Sequence, residues 1–163
     1  MSLAIEKSGR GTTDTWLTPP SLLYRLGSFD LDPCACPEPR PWATATKMIS
    51  LPEDGLGAPW NGSVWLNPPY GPRAGRWLLK LSLHQSGGVA LIFARTETKW
   101  FHDYVWRKAQ AVLFLKGRLV FCNRHGKPGD FSAAAPSCLV AYGVESVSRI
   151  QSLQDMGAFV RLK

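Results

Sequence analysis

Cysteine and histidine are scarce in this sequence, and neither is arranged for a metal. The cysteines are Cys34, Cys36, Cys122 and Cys138, and the histidines are His84, His102 and His125. No C-x-x-C pair occurs among them, whereas structural zinc sites usually show tight, paired ligand spacing. No metal is therefore expected, and reduced, mostly buried thiols are the default state. Long hydrophobic runs are also lacking: no stretch approaches the ~20 apolar residues of a helical membrane span. No membrane partner is expected. The opening segment MSLAIEKSGRGTTDTW lacks the pattern of a cleavable secretory signal, so a soluble, cytoplasmic protein is expected. There are no internal repeats and no low-complexity tracts. Acidic residues are few, 12 against 19 Lys and Arg, leaving a formal net charge of +7. That excess favours a polyanionic partner, most often nucleic acid.

What is present suits one α/β domain. The chain has 163 residues, 45% of them hydrophobic. A chain of this length buries roughly 70% of its unfolded surface and needs no disulfide to hold a core. Residues 1–13 are small and polar without periodicity, and read as a flexible N-terminal arm. The domain is expected over residues 14–163. In TWLTPPSLLYRLGS, Pro20 suits a helix start and Gly27 a helix end, with Leu22, Leu23 and Leu26 on one face. FDLDPCACP reads as a short strand ending at Asp32, and ATKMISL as a second. Val64-Trp65-Leu66 reads as a buried strand.

RAGRWLLKLSLHQ reads as a helix ended by Gly87 and Gly88. VALIFA follows as a strand buried on both faces. TETKWFHDYVWRKA has a helical apolar face, with Thr96 as its cap. AVLFLKGRLVF is strand-like up to a break at Gly117, and PSCLVAYG is another strand. A last helical piece and AFVRL close the chain. Alternating strands and helices in the middle imply a mostly parallel sheet, and the strand-rich end implies an antiparallel C-terminal hairpin.

The chemistry concentrates where the third strand stops. Prolines cannot continue a central strand, so Asn67-Pro68-Pro69-Tyr70 hangs from its carboxyl end, where open α/β sheets hold ligands. A proline carbonyl is held in a narrow range of directions, and Asn67 adds a side-chain oxygen. Two converging acceptors can grip both hydrogens of a planar amino group. Tyr70 offers a ring on which a base can stack, worth about 1–3 kcal/mol. Acceptors on its hydrogens draw an aromatic amino group toward a tetrahedral nitrogen, which can then attack a sulfonium methyl. Positioning and stabilisation of the developing charge are the protein's contribution.

Asn67-Pro68-Pro69-Tyr70 resembles the catalytic motif of amino-group DNA methyltransferases. TWLTPP is similar to their N-terminal S-adenosylmethionine-contacting motif, and FDLDPCA to their first-strand cofactor motif. The order of the motifs is that of the unpermuted class. The later run FARTETKWFHDYV, VLFLKGRLVF and APSCLVAYG also resembles small phage-type adenine-specific enzymes of the Dam-like family. The resemblance spans roughly residues 14 to 143.

It implies a single-domain, Rossmann-like class I methyltransferase fold and S-adenosylmethionine as cofactor. It also implies an adenine flipped out of double-stranded DNA as the acceptor, and a bacterial host cytoplasm if the gene is of phage or prophage origin. Carried over by motif position, Asn67 and the Pro68 carbonyl hold the amino group, Pro69 completes the stiff motif, and Tyr70 stacks on the base. Asp32 orients the amino-acid end of the cofactor. Cys34, Ala35, Trp16, Thr18, Pro19 and Asn67 line its pocket, and Asp54 takes its adenine. Glu38 is the nearest candidate for its ribose. The sequence departs from the wider pattern in lacking a G-x-G loop after the first strand, where Pro37 and Pro39 stand.

A methyltransferase must reach a base outside the stack and hold the backbone around it. Arg73 and Arg76 follow the catalytic loop, and Arg95 and Lys99 follow the LIFA strand on the same sheet edge. Arg124, His125 and Lys127 lie in CNRHGKPGD, expected as a mobile loop between two late strands that could donate to base edges in the major groove. The alternatives are transfer to the cytosine amino group, transfer to a protein glutamine amide, or a DNA-binding protein without catalysis. The sequence leaves the oligomeric state open, a monomer included.

Overall fold

In a computed structural model of the chain, which describes residues 16–163, the apolar runs form the centre of one sheet. The expected arm over residues 1–13 lies outside the described residues. Among these, the strands are β1 (Leu31–Asp32), β2 (Lys47–Met48), β3 (Val64–Leu66), β4 (Gly88–Phe93), β5 (Ala111–Leu115), β6 (Ser137–Tyr142) and β7 (Gly157–Arg161). The helices are α1 (Pro20–Leu26), α2 (Ala74–Leu83), α3 (Lys99–Phe101) and α4 (Val144–Gln151). The sheet order is β2-β1-β3-β4-β6-β5-β7. The first four of these strands run parallel, with Leu31 opposite Lys47 and Val64, and Trp65 opposite Val89. β6 then enters antiparallel between β4 and β5, and β7 pairs antiparallel along β5. The parallel core and antiparallel C-terminal part are those the sequence implied, and together they are consistent with a class I methyltransferase fold.

Alternation along each strand splits the core between two faces. Val64, Leu66, Ala90, Ile92, Val112 and Val140 face Trp77, Leu78 and Leu81 of α2 together with Phe101 and Val105. Trp65, Val89, Leu91, Leu113, Leu139 and Ala141 face Leu22, Leu23 and Leu26 of α1 together with Val147 and Ile150 of α4. The result is a three-layer arrangement with helices on both faces. It leaves the carboxyl ends of β1 to β4 free to carry loops at a common edge. Those ends are Asp32, Met48, Leu66 and Phe93.

Several local expectations shift. The helix before β4 ends at Leu83, capped through the His84 N–H, and Gly88 is the first residue of β4. The helical cap after β4 is Thr98, whose hydroxyl accepts from the Phe101 N–H and donates to the Arg95 carbonyl; Thr96 is exposed. Past Phe101 the helix widens into a π-helical turn over His102–Trp106, which keeps both Phe101 and Val105 buried. After β5 the chain does not resume a strand at Leu119. Its next pairing is at Cys122, which bridges both Leu17 and Pro128. These differences share one cause: tertiary partners, and not local propensity, decided where each element stopped.

Candidate active site

Asn67 leaves the end of β3, and its two amide atoms are engaged by different parts of the chain. Its Nδ2 donates to Thr18 Oγ1 at 3.3 Å, and its Oδ1 accepts from Tyr70 Oη at 3.3 Å. Thr18 is buried and lies next to Leu17, whose N–H and C=O pair with the Cys122 backbone at 2.7 and 2.8 Å. The segment before α1 is thus clamped beside the Asn67–Tyr70 loop. Trp16 and Pro19 flank it, and the Pro19 carbonyl opens α1 by accepting from Leu22 and Leu23. Pro68 is buried and Pro69 half-buried behind this polar pair.

Tyr70 is held by two aromatic rings that the sequence did not single out. Phe93, the last residue of β4, stacks on it with centroids 4.0 Å apart and planes within 5°. Phe121 meets it edge-on at 6.1 Å. One face of Tyr70 is therefore already covered. Burial, with a lesser push from Cys138, holds the Tyr70 hydroxyl far above the usual phenol range. It stays protonated and so donates to Asn67.

Asp32 ends β1 and is 2% exposed. Its Oδ1 accepts from the Cys34 N–H at 2.9 Å, and its Oδ2 accepts from the Thr44 hydroxyl. Burial raises its pKa to about 6, against the lowering effects of Thr44, the Cys34 N–H and the more distant Arg40. Both hydrogen-bond donors are neutral, so a cation is the partner that would bring the pKa back down and further favour the ionised form. Beside it, burial and then Asp32 push the Cys34 thiol up to about 12. Ala35 is buried, and its N–H donates to the Ile49 carbonyl at 2.9 Å, tying this loop to the end of β2.

Asp54 stands in an exposed turn, where its Oδ1 accepts from the Leu56 N–H at 3.0 Å. Gly55 brings that turn onto the Asp32 loop. A Cβ at Gly55 would lie 1.8 Å from the Pro33 carbonyl oxygen, so only glycine permits the contact. Lys80 pins the same turn by donating to the Leu56 and Ala58 carbonyls at 2.5 and 2.6 Å. Asp32, Asp54 and Asn67, far apart in sequence, thus sit on neighbouring loops.

The basic residues divide into two groups. Arg73 and Arg76 are exposed at the start of α2, which packs on α3 through Gly75 and Trp100. Lys99 is close by on α3 but is paired with Asp103, which Arg107 also approaches at 3.3 Å. Arg95 is half-buried just past β4. The second group, Arg124, His125 and Lys127, is exposed on the turn that begins beside Phe121.

That turn is a built structure, contrary to the mobile loop expected. Asn123 Oδ1 accepts from the His125 and Lys127 N–H groups at 2.9 and 3.2 Å, and its own N–H donates to the Lys127 carbonyl at 2.8 Å. Gly126, at φ +79°, lies where a Cβ would fall 2.8 Å from the Trp42 ring. The turn is closed upon itself and docked on Pro41 and Trp42.

Among the described residues no group of three or more His, Cys, Asp and Glu side chains could hold a metal ion. No helix among them is long and apolar enough to cross a membrane.

Compared with known proteins, the sequence matches one family description, DNA N-6-adenine-methyltransferase (Dam), over residues 7–153. No curated protein and no solved structure matches it.

Proposed function

Because the chain belongs to the DNA N-6-adenine-methyltransferase (Dam) family, we propose that the edge formed by Asp32, Asn67 and Tyr70 is where it methylates adenine in DNA. It is an enzyme that uses S-adenosylmethionine as methyl donor. Family membership favours adenine over the cytosine and glutamine acceptors, and an enzyme over a non-catalytic DNA binder.

The observation that carries the site assignment is the fixed orientation of the Asn67 amide. With Nδ2 directed to Thr18, its Oδ1 is left facing Tyr70 and the loop. An amide oxygen has two lone pairs, and Tyr70 uses one of them. The other accepts one hydrogen of the adenine amino group, and the Pro68 carbonyl accepts the second. Together they favour a tetrahedral nitrogen and stabilise the positive charge that builds on it. Tyr70, held flat by Phe93, presents its remaining face to the base.

The residues near Asp32 fit a cationic cofactor, since a buried carboxylate with neutral hydrogen-bond donors is short of a cation. Asp32 takes the ammonium of the cofactor's amino-acid end, with Cys34, Ala35, Trp16, Thr18 and Pro19 lining the space. Bound S-adenosylmethionine supplies a methyl group on a sulfonium, an electrophile strong enough for an aromatic amine. Asp54, on the turn pinned to Pro33, takes the cofactor's adenine. The Cys34 thiol stays protonated and takes no part as a nucleophile.

Arg73, Arg76 and Arg95, with the Arg124–Lys127 turn, form the backbone-holding surface for double-stranded DNA. Lys99, which shares its charge with Asp103, contributes least. Work on DNA supports a cytoplasmic location, that of a bacterial host if the gene is of phage or prophage origin.

Incubating the protein with methyl-labelled S-adenosylmethionine and unmethylated DNA, then digesting to nucleosides, tests the reading. Label on N6 of adenine is expected. Label on cytosine would correct the acceptor, and no label despite cofactor binding would overturn the site.

A further inference from the structure

We infer that Arg40 binds the α-carboxylate of S-adenosylmethionine, opposite the Asp32 carboxylate that takes its ammonium; this rests on the methyltransferase reading of the site. Arg40 belongs to the loop between β1 and β2, and its side chain is 10% exposed. A guanidinium is always charged and carries five N–H donors, so a buried one is normally surrounded by strong acceptors. Arg40 is not. Its Nη1 faces the Met48 thioether sulfur at 2.9 Å, a weak acceptor. Its Nε is buried without a hydrogen bond, although Glu38 Oε1 lies 3.1 Å away. Glu38 is itself 70% exposed and engages the Arg40 backbone N–H through Oε2 at 3.0 Å. Two residues on, the Trp42 indole N–H is also buried without a partner. One loop thus carries two unspent buried donors, and natural structures rarely leave such groups unmatched.

Position decides which anion they await. Met48 ends β2 and pairs in register with Asp32 at the end of β1, so Arg40 stands at the same sheet edge as Asp32. It acts electrostatically on both Asp32 and Cys36. A carboxylate and a guanidinium on the same sheet edge match an amino-acid zwitterion, and the guanidinium fork matches its carboxylate in a bidentate fashion. A DNA phosphate is the rival anion. Backbone phosphates are met at the surface, where Arg124 stands exposed, whereas the Arg40 side chain is only 10% exposed.

Isothermal titration of the full chain with S-adenosylmethionine and with its decarboxylated analogue separates these outcomes without recourse to turnover. The wild type is expected to prefer the carboxylate-bearing ligand by about 30-fold or more. In Arg40→Gln that preference collapses, with affinity for the decarboxylated ligand within about threefold of the wild type. Arg40→Lys recovers part of it. Equal affinity of the wild type for the two ligands would overturn the inference, even if the variants did not fold. So would equal loss of both ligands in Arg40→Gln, or loss of DNA affinity with the cofactor preference intact. A wild type that binds neither ligand would instead bring down the cofactor reading of the whole edge, and the inference with it.

Discussion

In the proposed mechanism Asn67 is the residue on which the chemistry turns, and its neighbours define what it can do. Thr18 holds the amide nitrogen and Tyr70 shares the oxygen, so the acceptor is aimed before any base arrives. Replacing Asn67 with Ala removes that acceptor and leaves the loop's prolines in place. The expected outcome is a fall of about 10²–10³ in single-turnover methyl transfer, the scale of losing one preorganised polar group. DNA affinity, measured by titration, should stay within about threefold. Near-normal transfer in Asn67→Ala would sink the assignment.

Asp32 adds a pH dependence. With its pKa at about 6 without ligand, it is ionised at neutral pH, the form that the proposed contact with the cofactor ammonium needs. Below that value binding must first remove a proton, so affinity should fall about tenfold per pH unit below 6. Calorimetric titrations between pH 5 and 8 check this, and Asp32→Asn should be weak and flat across the range. Both residues were readable from their motifs. Thr44, which holds the other Asp32 oxygen, was not, because a lone threonine in an irregular loop carries no periodic or spacing signal.

The turn around Asn123–Lys127 is the most informative element. Its sequence, rich in glycine and polar residues, has the composition of a loose loop. The structure closes it through Asn123, seats Gly126 against Trp42, and anchors its start through Cys122 and Leu17. A preformed turn presents Arg124 and Lys127 at little entropic cost. If both meet phosphates, Arg124→Ala combined with Lys127→Ala should reduce the slope of log affinity against log salt by roughly 2, about 1 per contact. DNA binding measured across a salt series decides, and an unchanged slope would move both residues off the interface. The shift of the cap from Thr96 to Thr98 has a similar origin. Both threonines are acceptable caps by chemistry, and the burial of Phe101 selected the one that starts the helix in phase.

For the molecule as a whole, the sheet edge and the stability of the fold are linked through the proposed cofactor site. In the free enzyme, Asp32 has a folded pKa of about 6 against an ordinary value of 3.8. Between those values the folded chain holds more protons at this position than the unfolded chain. Its contribution to stability is therefore lost as pH rises from about 4 to 6, and ionised Asp32 opposes folding at neutral pH. A ligand with an ammonium removes that penalty. At about 100 times its dissociation constant, S-adenosylhomocysteine should stabilise the protein by about 2.7 kcal/mol. For a domain of this size that raises the melting temperature by about 5–10 °C. Scanning calorimetry with ligand held at one concentration should show a smaller rise at pH 5 than at pH 7.5. An equal rise at both would dissociate Asp32 from the ligand.

By itself the sequence determined the elements and the order of the motifs. Proline and glycine mark helix ends and halt strands through local backbone sterics, and buried strands announce themselves as unbroken apolar runs. Those signals lie within a few residues of each other, so Pro20, Gly27, Val64–Leu66 and the Asn67–Tyr70 loop could be placed without coordinates. Only the tertiary structure decided what surrounds them. Phe93 reaches Tyr70 because β3 and β4 pair in one register, and Phe121 because the segment after β5 folds back beside Leu17. Arg40 meets the Asp32 edge because its loop returns to Met48. Contacts between residues far apart in the chain leave no local period to read; sheet register and loop closure create them.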